Sequence, residues 1–278
     1  MPIELATQFQ SAVDELFTTE SRKSLLTNQN YSWSGAHNIK VYSVTTAPMN
    51  DYGRNGPEEG NWSRYGEIND LSATTQEMPL RKDRSFTFAV DRLDTDETKQ
   101  ALQAASALAR QLREVVVPEV DRYVYVEMCD EAGQLPEPVE LTPENIYEII
   151  VDNNKLLDDA EVPETQRVLL VTPDSYLLMK KSKDIIMETD ITAEMRLKGV
   201  IAMLDGLTVI KVPATRLPDD FGFMIAHPIA TVAPTKLESY KIHDNPPGIS
   251  GALVEGRIAY DAHILNNKKN AILYQQAV

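Results

Sequence analysis

The chain has 278 residues, of which 42% are hydrophobic, and carries a formal net charge of −15. That is enough apolar material for one large domain or two modest ones, and the acidic balance argues against a protein that grips nucleic acid over a broad basic face. Its single cysteine, Cys129, cannot form an internal disulfide and reads as a small buried apolar residue in a reducing cytoplasm, and with no apolar run longer than Val200 to Leu204 no membrane span or export signal is visible.

Ile3, Leu5, Ala6, Phe9, Val13, Leu16 and Phe17 recur at helical spacing and predict a short amphipathic helix ending near Thr18 to Ser21. Residues 39–45 alternate loosely and Phe86, Phe88 and Val90 alternate strictly, which predicts two paired strands. Between them, residues 48–80 hold Gly53, Gly56, Gly60 and Gly66, together with Pro48, Pro57 and Pro79. An irregular excursion of that length is uncommon inside a compact domain and marks a functional or partner-binding arm.

From Asp94 or Thr95, a capped helix is predicted, with Ala101, Ala105, Leu108, Leu112 and Val115 on one stripe. It should be the longest helix in the protein, and its many alanines let neighbouring backbone approach closely. Pro118 kinks or ends it, and DRYVYVEM then fits either helix or strand. GQLPEPVELTP, residues 133–143, reads as a linker, with Thr142, Pro143 and Glu144 opening a second region and a helix whose face carries Ile146, Ile149, Ile150, Asn153 and Leu157.

The stretch EVPETQRVLLVTP follows, residues 161–173. Val168 to Val171 is too short for a helix and rich in β-branched residues, so it is a strand buried on both faces; Thr172 and Pro173 then cap a new helix. Helix, strand, helix is the signature of a mixed α/β domain. A short helix starts at Thr192 and ends by Gly199, and Val200–Leu204 and Leu207–Val212 flank Asp205-Gly206 as a hairpin. Further strands are expected at 221–226, 229–232, 236–243 and 251–265.

No enzymatic motif survives scrutiny. His37, His227, His243 and His263 share no metal-ligand spacing and read as structural or surface histidines. GALVEGRI has glycines at Walker spacing, but Arg257 and Ile258 stand where a lysine and a hydroxyl must meet phosphate and magnesium. Gly248-Ile249-Ser250-Gly251 lacks the nucleophile-elbow order, and Asp158-Asp159 and Asp219-Asp220 lie at turns as solvated acids. No catalytic residue, cofactor site or metal site is assigned.

Taken in order, an N-terminal arm, a glycine-rich loop between strands, a long alanine-rich helix ending at VVPEVDRY and an α/β region resemble the tailed-phage major capsid (coat) protein of the Hong Kong 97 type. The likeness runs over nearly the whole chain. It is carried most specifically by NIYEIIVDNNKLLDDAEVPETQRVLLVTPDSYLLM, GVIAMLDGLTVIKVPATRLP and PPGISGALVEGRIAYDAHIL. The resemblance implies an α+β chain with an N-arm at 1–37, an extended loop at 38–92, a peripheral domain with its spine helix at 93–139, an axial α/β domain at 140–250, and a return to the peripheral domain at 251–278.

It further implies a non-enzymatic virion protein, assembled in the bacterial host cytoplasm into hexamers and pentamers of a closed icosahedral shell. Its implied partners are further copies of itself, a separate scaffolding protein, a portal protein, packaged double-stranded DNA bound without sequence specificity, and a decoration protein in some members. A chain that starts at Met1 and enters the arm within its first twenty residues favours separate scaffolding over a cleaved leader. Cross-linking members use a loop lysine; residues 51–70 hold only Arg54 and Arg64, so a non-covalent shell that boils to a single monomer band in detergent is expected. Trp62 and Tyr65 at the loop tip are candidate inter-subunit anchors, and Arg81, Lys82 and Arg84 at its base are candidate partners for a neighbour's acids. An encapsulin-like shell around a cargo enzyme shares the fold, but the long arm and the VVPEVDRY region look more phage-like; a soluble α/β enzyme is the remaining alternative.

Overall fold

The computed structural model describes residues 21–28, 30, 38–44, 46–56, 63–67, 70, 73–92, 104–183, 200–233 and 235–278. The helices expected near 3–17 and 192–199 and the start of the one expected from 94 lie outside these residues. Two compact units are present, residues 36–79 and the remainder of the chain.

The smaller unit is a two-stranded antiparallel arm. Strand β1 (Asn38–Val44) pairs with β2 (Ala73–Pro79), Asn38 opposite Pro79 and Val44 opposite Ala73. This corrects the expected pairing of 39–45 with 86–90. In ATTQEMP only Ala73, Met78 and Pro79 are apolar, so it shows almost no apolar alternation, and its strand identity comes from its partner.

In the larger unit, β3 (Lys82–Asp91) is instead an edge of a three-stranded antiparallel sheet in the order β3-β10-β9, with β9 at Thr235–Asp244 and β10 at Gly251–Tyr260. Helix α1 (Ala104–Gln111) passes through one π turn, Leu112–Val116, into α2 (Val117–Asp130). DRYVYVEM is therefore helical, and Pro118 does not end the run: it follows directly on the π turn, where the regular i→i−4 ladder is already interrupted. The π turn also moves the buried stripe: Leu108 and Leu112 are followed inward by Val116, Val120, Val124 and Met128, while Val115 is 45% exposed. One extra residue in a turn rotates all that follows, which a uniform 3.6-residue period does not anticipate.

Helix α3 (Ile146–Asp159) begins three residues later than Pro143 suggests; Asn145 takes the cap position, and its side chain accepts the Thr142 N–H at 2.8 Å. Strand β4 (Val168–Val171) is fully buried, and Thr172 caps α4 (Pro173–Lys181) by accepting the Ser175 N–H at 3.0 Å. Arg167, just before β4, is buried and ties the end of α3 to the strand: it donates to the carbonyls of Val162 and Pro163 and pairs with Asp158 at 2.7 Å.

Strands β5 (Val200–Leu204) and β6 (Leu207–Lys211) form the expected hairpin, with φ of +46° at Asp205 and +78° at Gly206, as the tight turn demands. With β7 (Phe221–Ala226) and β12 (Ile272–Gln276) they build a five-stranded mixed sheet in the order β12-β7-β4-β6-β5. The short pair β8 (Thr231–Val232) and β11 (His263–Ile264) completes the set. Strand β12 was not expected after 265, and residues 134–139 run beside it through bridges at Gln134 and Val139.

Two cores lie on the two faces of the five-stranded sheet. Leu169 and Val171 join Ile146, Ile150 and Leu157 of α3 and Met179 of α4. Val168 and Leu170 join Leu112, Val120, Val124 and Met128 of the long helix. Burying four side chains of this size contributes roughly 1.5–3 kcal/mol each, which accounts for a strand of only four residues. Cys129 lies within the second core, and burial pushes its thiol well above the usual range.

Candidate functional site

Two places collect the residues singled out by the sequence. The first is the tip of the small unit. The Gly53 N–H donates to the Arg64 carbonyl at 2.9 Å, and Asn50 donates through its side-chain amide to the carbonyls of Tyr65 and Glu67 at 3.3 and 3.4 Å. Gly66 has φ +84°, and a Cβ there would meet the Asn50 side chain at 2.6 Å, so this crossing requires glycine.

On this frame Tyr52 and Tyr65 pack edge to face, ring centroids 5.0 Å apart, yet Tyr65 is 77% exposed and Met49 99% exposed. Arg54 and Arg64 are exposed beside them. A locally ordered tip that shows aromatic and sulfur surface to solvent has the composition of a contact patch. Trp62 lies outside the described residues.

The second place is the start of β3 in the large unit. Asp261, buried at the end of β10, accepts from the Arg81 backbone N–H at 2.7 Å, from the Arg81 guanidinium at 3.0 Å and from the Tyr123 hydroxyl at 2.8 Å; His263 Nε2 is 3.5 Å away. Burial alone would push this carboxyl up, but the hydrogen bonds from His263, Arg81 and Tyr123 together hold it well below the usual carboxylate range. Arg81 also reaches Glu127 at 3.3 Å, the Lys82 ammonium lies 5.1 Å over the Tyr123 ring, and Arg84 pairs with Glu119 at 2.8 Å, which the Tyr260 hydroxyl also contacts at 3.0 Å.

Arg81, Lys82 and Arg84 thus meet groups of their own chain, on α2 and at the end of β10. Sequence reasoning missed those partners because they lie up to 180 positions away. One signal was present: Glu119, Tyr123 and Glu127 are spaced by four and share a helix face, legible once 117–130 is known to be helical. Among the described residues there is no group of three or more metal-ligating side chains and no helix long and apolar enough to cross a membrane. The Asp261 cluster holds strand and helix in register, and the tip offers exposed aromatic surface.

No family model and no curated protein matches the chain. Solved structures do. A chain of Mycobacterium phage Che8 superposes with a TM-score of 0.67 over 90% of this chain and 89% of its own length, at 18% identity. A chain from the capsid of cyanophage P-SCSP1u gives 0.67 over 91% and 86%, at 12% identity. The chain has the Hong Kong 97 capsid fold. Within that fold a virus-like particle from Pyrococcus furiosus also matches, at TM-score 0.59 over 99% of this chain and 100% of its own, with 12% identity.

Proposed function

We propose that the protein is the major capsid subunit of a tailed double-stranded DNA phage or prophage, assembling with copies of itself into an icosahedral shell around the packaged genome. The observation that carries this reading is the agreement with phage chains over about nine-tenths of both lengths, including a capsid chain. In this reading residues 38–92 form the extended loop, 93–139 and 251–278 the peripheral domain, and 140–250 the axial domain. The exposed tip at Met49, Tyr52, Arg54, Arg64 and Tyr65 lies on a neighbouring subunit, and Trp62, two positions before Arg64 in the sequence, is a further candidate anchor there. The shell is non-covalent, since residues 51–70 lack lysine. Interfaces of standard size bury on the order of 1,200–2,000 Å² each, and repetition over the lattice supplies the strength that no single one has.

Scaffolding, portal and decoration proteins complete the expected partners, in the host cytoplasm and then the virion. The full-length match to the virus-like particle supports a second reading, an encapsulin-like shell around protein cargo. Analysis of purified particles separates the two: nuclease-protected DNA supports the phage reading, and a co-purified enzyme without nucleic acid supports the compartment.

A further inference from the structure

The segment Ser21 to Asn28 is held on the large unit by an apolar anchor and a set of polar contacts to α2 and to residues 216, 231 and 235. Leu26 is fully buried in the core of the long helix, and the Asn28 N–H donates to the Thr231 carbonyl at 2.7 Å. The polar part converges on a single buried side chain, Asp121 of α2, which is 1% exposed. Its Oδ1 accepts from the Ser21 hydroxyl at 2.7 Å, and its Oδ2 accepts from the Arg216 guanidinium at 2.9 Å. Arg216 lies in the short 3-10 turn Ala214–Arg216, so one carboxylate joins three separate parts of the chain.

Lys23 and Arg22 add positive charge to the same neighbourhood, and Lys23 also donates to the Thr235 hydroxyl. The Tyr125 hydroxyl, one helical turn on from Asp121 and in the field of Asp121, Arg216 and Arg22, is buried with no hydrogen-bond partner among the described residues. A buried carboxylate with two such donors is stable only while both are in place, because loss of either leaves charge unpaired in a medium of low dielectric.

We propose that Asp121 is the keystone of a latch that fixes residues 21–28 on the large unit. Opening the latch releases that segment while the two sheet cores stay folded. The segment contributes Leu26 and the partly buried Leu25 to the core around α2, while the other members of that core come from residues 86–274. The device is therefore conformational, an N-terminal element with two states set by one carboxylate.

Limited tryptic digestion of the full-length protein tests this, with mass spectrometry scoring cleavage after Arg22 and Lys23 against survival of the 104–278 region. When opening is fast relative to cutting, the cleavage rate follows the open population. Asp121→Asn should raise it at least about tenfold, the scale of a hydrogen bond to a charged group, and Ser21→Ala should raise it severalfold. The 104–278 region should keep its wild-type resistance in both. Should Asp121→Asn fail to fold, Ser21→Ala and Arg216→Gln carry the test. Wild-type cleavage rates in the folded variants, or loss of resistance throughout the chain in step with the N-terminal cuts, would overturn the latch.

Discussion

Asp261 illustrates what a single residue contributes to this fold. Buried, and accepting from Arg81 and Tyr123 with His263 at its side, it fastens the start of β3 to α2 and the end of β10. Asp261→Ala removes the acceptor and leaves Arg81 and Tyr123 without their partner. We expect a loss of about 2–4 kcal/mol in urea unfolding; an unchanged midpoint would show the cluster to be dispensable. Lys23 makes a pH prediction. Burial pushes its ammonium down to about 8 from 10.5, against the opposing pull of the Asp121 carboxylate. Since the folded value lies below the ordinary one, docking disfavours the protonated form; that penalty is full below about 8 and fades as pH rises toward 10.5. Cleavage after Arg22 should therefore slow between pH 7 and 9.5, normalised to an unstructured peptide of the same sequence, and Lys23→Met should flatten the profile. None of these partners was visible in the sequence. Asp121, Arg216 and Asp261 look like ordinary surface charges until the chain brings distant residues beside them.

At the scale of elements, legibility follows locality. The β5–β6 hairpin, the cap at Thr172 and the doubly buried β4 each depend on residues within a few positions of one another, and each stands where the sequence places it. Strand β2 has little apolar pattern of its own and is defined by β1, while β12 is a short segment whose place depends on β7 and on residues 134–139. The helical course of 117–130 was undecided because proline is tolerated in a first turn and forbidden only deeper in. The loop tip belongs at this scale too. Its frame is internal, set by Asn50, Gly53 and Gly66, whereas the Tyr65 ring is largely in solvent. Tyr65→Ala and Trp62→Ala should thus cut particle yield severalfold, in line with about 1–2 kcal/mol for a lost interfacial aromatic, with thermal unfolding of the unassembled subunit unchanged. Wild-type yields from both variants would remove the tip from the assembly surface.

For the whole molecule, the arm is the feature that a monomer does not explain. Residues 36–79 form a unit of their own, a two-stranded ribbon, and isolated two-stranded ribbons are marginal in water. In the proposed shell a neighbouring copy offers the surface such a ribbon lacks. The most direct test is electron microscopy of the protein expressed alone and then with its neighbouring genes. Closed shells, tubes or curved sheets built of hexameric units are the predicted result. A uniformly small, non-assembling species in both conditions would contradict the account and return weight to a soluble α/β enzyme.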